Sequence, residues 1–183
     1  MLKTKIAVFV SGGGTNFEAL INAQENGKIP HGEIVLMVSS SKTAYALKRA
    51  ENHGIKSVVC SKKELGSQER FEEEILKNLE ENDIQLIVLA GFMSILSKEF
   101  TKKYENRIIN IHPSLIPSFC GEGFYGLHVH EAALKKGVKV TGATVHIVNE
   151  IPDGGPIIMQ KAVYIEENDT PEILQKRVME QAE

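Results

Sequence analysis

Apolar positions along this chain alternate between short continuous blocks and longer stretches with helical spacing. The blocks "KIAVFV", "EIVLMVSS", "IKSVVC", "IQLIVLAG" and "RIINIH" are strand-length and carry few polar residues. That pattern suits parallel strands covered on both faces. Between them lie "TNFEALINAQENG", "AYALKRAENHG" and "SQERFEEEILKNLEEN", where apolar residues fall on one side of a helix. In the last of these, Phe71, Ile75 and Leu79 recur at four-residue spacing. The stretch "SILSKEFTKKYEN" reads as a short helix. Strand and helix alternate, which predicts an α/β fold: a doubly wound, mostly parallel sheet with helices on both faces. After residue 117 the rhythm changes. A Gly- and aromatic-containing loop, "SFCGEGFYG", leads into the helix "LHVHEAALKKG". Two strands, "KVTGATVHIVNE" and "PIIMQKAVYI", then flank the turn "IPDGG". The final segment has Thr170 as N-cap and Pro171 at the first helical position.

The chain has 183 residues, a formal charge of −3 and a pI near 6.1. The length suits one domain with a substantial core. The charge balance gives no basic surface for a nucleic-acid partner. The longest apolar runs are too short to span a bilayer, and "MLKTKIAVFVSGGG" lacks a small-residue cleavage site. Two cysteines, Cys60 and Cys120, make no disulfide framework. A cytoplasmic protein with reduced thiols is expected.

Three motifs carry candidate chemistry. In "VFVSGGGTNFEAL" a strand runs through glycines into a helix, at the sheet edge where doubly wound folds bind ligands. Backbone N–H groups and the helix N-terminus suit a phosphate there. Phe17 replaces the third glycine of G-x-G-x-x-G, and no G-K-[ST] follows. A phosphate on a small molecule therefore fits better than a dinucleotide or a nucleoside triphosphate. The alternative is a tight βα turn without a ligand. In "NIHP", Asn110 and His112 share one strand face. An amide there can stabilise an oxyanion and an imidazole can move a proton. Pro113 ends the strand and fixes where the ring points. The plain alternative is a packed strand-end histidine. In "NEIPDGGPI", Asp153 sits in what reads first as a hairpin turn. Folded over His112, its carboxylate would favour the imidazolium form. His128 and His130 form an H-x-H, but no further ligand cluster supports zinc, so no metal is expected. His146 reads as a satisfied strand histidine and the "EEE" at 72–74 as a solvated helix face.

The ordered set "SGGGTN", "VLAGFMSILS", "NIHPSLIP", "TGATVHIV" and "DGGPII" resembles phosphoribosylglycinamide formyltransferase, across essentially the whole chain. The resemblance implies a Rossmann-like formyltransferase fold and a single domain over residues 1–183, cut short at its C-terminus. It implies transfer of a formyl group from 10-formyltetrahydrofolate, as cosubstrate, to glycinamide ribonucleotide in purine biosynthesis. By motif, Asn110, His112 and Asp153 would be catalytic. Gly13, Gly14, Thr15 and Asn16 would hold the ribonucleotide phosphate, and Glu183 the ribose. Gln68, Met93, Ser94, Ile95 and Leu96, with Asn110, would meet the folate. The family usually has Arg where this chain has Ser94, and often a basic residue where it has Gln68; Arg70 is a nearby substitute. The loop "SFCGEGFYGLHVH" is longer than the common P-G-L-H-x-H form. Partners would be these small molecules alone, with the protein a monomer or homodimer.

Other formyl-handling proteins fit less well. Methionyl-tRNA formyltransferase has a further RNA-binding domain. Formyltetrahydrofolate deformylase usually has a second His where this chain has Pro113, and an N-terminal regulatory domain. A non-catalytic nucleotide-binding module would need only the glycine loop, leaving Asn110, His112 and Asp153 without purpose.

Overall fold

The computed structural model describes residues 2–182. The chain divides into two compact units, one ending at Ile108 and one beginning at Ile109. In the first unit, β1 (Thr4–Val10), α1 (Thr15–Glu25), β2 (Gly32–Ser39), α2 (Ala46–Asn52) and β3 (Lys56–Val59) alternate as the sequence predicts. Two helices follow, α3 (Lys62–Leu65) and α4 (Gln68–Glu81), then β4 (Leu86–Leu89) and α5 (Lys98–Lys103). The strand order is β3-β2-β1-β4, and β1–β2, β2–β3 and β1–β4 pair in parallel.

Period-two alternation along β1 explains why helices cover both faces. Ile6, Val8 and Val10 pack with Phe17 and Ile21 of α1 and with Ala46 and Ala50 of α2. Phe9 points the other way, edge-on to Phe92, which stacks on Phe71 of α4. A register shift between Ile6 and Ala7 accommodates one extra residue of β2. Ile34 and Met37 thereby reach the same cluster, although three positions apart. The side chains of Phe9, Phe17, Phe71, Ile75 and Leu79 are fully buried.

The second unit holds β5 (Ile108–His112) from its second residue on, α6 (Leu127–Lys136), β6 (Val140–Ile147), β7 (Ile157–Tyr164) and α7 (Pro171–Ala182). Here β6 pairs antiparallel with both β5 and β7. Ala143, Val163, Leu174 and Val178 form its buried cluster. The seven expected strands are all present, and the mostly parallel α/β class read from the sequence stands. Two local readings need correction. The helix expected across "SILSKEFTKKYEN" is confined to α5, because residues 92–97 form a loop held by side chains. α3 is an additional single turn. Among the described residues, no helix is long and apolar enough to cross a membrane.

Candidate active site

The first unit reverses its strand order at β1, which has β2 on one side and β4 on the other. The loops leaving the carboxyl ends of β1 and β4 thus emerge at a topological switch point, where α/β sheets bind ligands. The loop after β1 is Ser11 and three glycines. Gly14 caps α1 in a left-handed conformation, φ 71°, and no side chain caps that helix. The first-turn N–H groups, which have no intrahelical partner, can therefore serve an anion. α2 braces this turn from behind: the Ala46 N–H donates to the Gly12 carbonyl, and Arg49 Nε donates to the Gly13 carbonyl at 2.9 Å. Arg49 also lies 3.0 Å from Glu18 of α1. Thr15 and Asn16 open the helix, and Asn16 Oδ1 is buried without a protein partner.

A methyl group on Gly14 would lie 2.7 Å from Ala46 Cβ, in a backbone conformation unfavourable to L residues. Gly14→Ala is expected to destabilise the fold by about 2 kcal/mol and to weaken anion binding at the turn. Urea denaturation measures the first; an unchanged midpoint would show that the turn tolerates a side chain.

The loop after β4 is tied to the glycine loop. Ser11 donates its N–H to the Gly91 carbonyl at 3.1 Å and accepts the Met93 N–H on Oγ at 2.8 Å. Met93 and Ile95 are exposed, while Ser94 and Leu96 are half-buried. Gln68 does reach this loop, but its amide nitrogen is committed to the Ile95 carbonyl at 3.1 Å and to Glu72.

In the second unit, antiparallel pairing sets Asn110 opposite His146 and His112 opposite Thr144. These four side chains share one face by strand alternation. Asn110 Nδ2 lies 3.1 Å from His146 Nε2, and His146 Nδ1 lies 2.9 Å from the Ile147 carbonyl. A ring nitrogen facing a carbonyl carries a proton, so His146 Nε2 can donate to Asp153 when the ring is charged, and when it is neutral accepts from the Asn110 amide. That interaction fixes which way the amide points.

Between β6 and β7 the chain turns tightly through Gly154 and Gly155. A side chain at Gly155 would collide with the Ile147 carbonyl. Asp153, at φ 53°, is carried back over the strand face. Its Oδ2 is 3.4 Å from His112 Nδ1 and accepts the Gly121 N–H at 2.8 Å; its Oδ1 is 3.5 Å from His146 Nε2. Burial acts to raise the Asp153 pKa, but the His146 and Gly121 hydrogen bonds and the two imidazole charges outweigh it. The carboxyl is held below its ordinary value. His112 is 4% exposed, with Nε2 2.8 Å from the Phe119 carbonyl. Both of its nitrogens face acceptors, an arrangement satisfied by a ring with two N–H groups.

The second unit thus brings together Asn110, His112 and Asp153, all singled out from sequence. His146 is buried, as expected of a strand histidine, yet it touches both Asn110 and Asp153. Sequence reading missed that role, as it did the backbone groups of Phe119 and Gly121. His130 is buried with neither ring nitrogen bonded, and burial, then the nearby His112 charge, push its pKa down to about 4. His128 is exposed and pairs with Glu131. Among the described residues, no group of three or more His, Cys, Asp or Glu side chains could hold a metal. Cys60 and Cys120 are unpaired. Glu183 lies outside the described residues.

The geometry defines an α/β protein with a glycine-rich turn in one unit and an amide–imidazole–carboxylate cluster in the other. Residues 4–183 match the formyl transferase family. The chain is 47% identical over 178 residues to the trifunctional purine biosynthetic protein adenosine-3 of Gallus gallus. That match takes in 97% of this chain but 17% of the chicken protein. It is 40% identical over 176 residues to phosphoribosylglycinamide formyltransferase of Bacillus subtilis, covering 95% of this chain and 86% of that one. The crystal structure of glycinamide ribonucleotide transformylase 1 from Symbiobacterium toebii is similar with a TM-score of 0.91. It is 36% identical, with 98% of this chain and 82% of that chain covered. This chain belongs to the formyl transferase family.

Proposed function

We propose that this chain transfers the formyl group of 10-formyltetrahydrofolate to the amine of 5-phosphoribosylglycinamide. The products are formylglycinamide ribonucleotide and tetrahydrofolate, a step of purine biosynthesis. The observation that carries this reading is the cluster in which His146 and Asp153 hold Asn110 and His112 on one strand face. Such a cluster suits acyl transfer through a tetrahedral intermediate, and anchoring a phosphate would not need it.

In this reading the amine lone pair attacks the formyl carbon and the carbonyl π electrons move onto oxygen. The Asn110 amide and a His112 N–H donate to that oxyanion, which takes the place of the Phe119 carbonyl as acceptor. The amine must lose a proton, and N10 of the folate must gain one before it departs. His112, with Asp153 beside it, serves this proton traffic, through water where reach requires. Gly13, Gly14, Thr15 and Asn16 hold the ribonucleotide phosphate at the uncapped start of α1. Met93, Ser94, Ile95 and Leu96 present backbone groups and apolar side chains to the folate, Gln68 braces that loop, and Glu183 serves the ribose. The two units act as one formyltransferase domain, in the cytoplasm, as a monomer or homodimer, on small molecules and without a metal.

Purified protein supplied with 10-formyltetrahydrofolate is expected to release tetrahydrofolate only when the glycinamide ribonucleotide is also present. Folate release at the same rate without that acceptor would mean hydrolysis and would overturn the transferase reading.

A further inference from the structure

Helix α4 holds a buried carboxylate for which the proposed reaction has no direct use. Glu72 falls one residue after Phe71, beside the buried stripe of α4, and is 8% exposed instead of solvated. One oxygen, Oε1, accepts the Ser97 N–H at 2.6 Å and a Gln68 amide N–H at 2.5 Å; Oε2 accepts the Ser97 hydroxyl at 2.5 Å. Gln68 extends the network to the Ile95 carbonyl. Ser97 Oγ in turn caps α5 by accepting the Phe100 N–H at 3.1 Å. The loop is therefore tied at both ends: near Gly91 and Met93 by Ser11, and at Ile95 and Ser97 by the Gln68–Glu72 pair.

Between those ties, Met93 and Ile95 stand 57% and 78% exposed. Two large apolar side chains held out on a fixed backbone form a platform for an apolar ligand surface. Without Glu72, three donors would face one another with no acceptor, and the loop would have to move to satisfy them with water.

We propose that Glu72 is a positioning residue which, through Ser97 and Gln68, fixes residues 92–97 in the conformation that binds the formyl-folate cosubstrate. This rests on the functional reading above, in which that loop meets the folate. It assigns Gln68 to the loop's own structure.

Glu72→Leu preserves bulk and removes all three acceptor contacts. Glu72→Gln keeps the Oε1 contacts and offers the Ser97 hydroxyl an N–H in place of an acceptor. Backbone hydrogen exchange over residues 92–97 is expected to accelerate in Glu72→Leu, and KM for 10-formyltetrahydrofolate to rise about tenfold. KM for the ribonucleotide is expected to change less than about twofold, and Glu72→Gln to stay within about threefold of the wild type on every measure. Unchanged exchange in either the Leu variant or, should that not fold, a Gln68→Met variant that cuts the Ile95 tie would overturn the brace. Faster exchange with an unchanged folate KM, or equal loss for both substrates, would overturn its link to the cosubstrate. A wild-type protein without formyl transfer would overturn the functional reading and this inference with it, and would be recognised before any variant was compared.

Discussion

His112→Ala is expected to lower formyl-transfer turnover by a factor on the order of 10²–10⁴, with binding of the ribonucleotide retained. The size follows from the two duties assigned to one ring: donating to the oxyanion and moving a proton. Neither neighbour can take over. The nitrogens of His146 are committed to the Ile147 carbonyl on one side and to Asn110 and Asp153 on the other. His130 is held neutral, with a pKa near 4, and is a poor proton donor. The turn that carries Asp153 should survive the substitution, because its carboxylate keeps the Gly121 N–H and the His146 contact. Ribonucleotide affinity is expected to persist because the glycine turn is braced by Arg49 and Ala46 of α2, within the first unit. Single-turnover kinetics with a parallel ribonucleotide titration separates these effects. A near-normal rate would remove His112 from the mechanism. A rate lost together with ribonucleotide binding would indicate a structural role.

What the sequence disclosed and what it hid divide along a physical line. The glycine turn, the pairing of Asn110 with His112, and Asp153 on a Gly-Gly turn were legible because each depends on residues adjacent in the chain. The role of His146 depends on strand register. Thirty-five residues separate it from Asn110, and a one-residue slip between β5 and β6 would turn it to the other face. Glu72 was misread for a related reason. Helical periodicity marks Phe71, Ile75 and Leu79 as buried, but a flanking glutamate is buried only if something covers it. The covering loop is held by contacts with Ser97, 25 residues away. The shortness of α5 has the same origin, since Ser97 is its N-cap and the residues before it are tied into that loop. Fold class survives such errors, because alternating blocks of strand and helix spacing specify it redundantly. The cluster's membership does not, because single contacts decide it.

Asp153→Asn is the second substitution expected to have a large effect, with turnover at neutral pH falling on the order of a hundredfold. The amide is nearly isosteric with the carboxylate, so the turn and the Gly121 contact can persist. The charge facing His112 and His146 is lost. With no anion beside it, the protonated form of His112 is less favoured, and the basic limb of the pH–rate profile is expected to move to lower pH. Stability should respond in its own pH range. The Asp153 carboxyl titrates below its ordinary 3.8 in the fold. Its stabilising contacts are therefore fully present above about pH 4 and fade as pH falls through the lower folded value. Wild-type protein is expected to lose stability relative to Asp153→Asn as urea denaturation is repeated at progressively lower pH, with the two converging in the acid range. An unchanged pH–rate profile would argue against charge coupling between Asp153 and His112. Parallel stability curves across the acid range would instead mean that the carboxylate is no better placed in the folded chain than in the unfolded one.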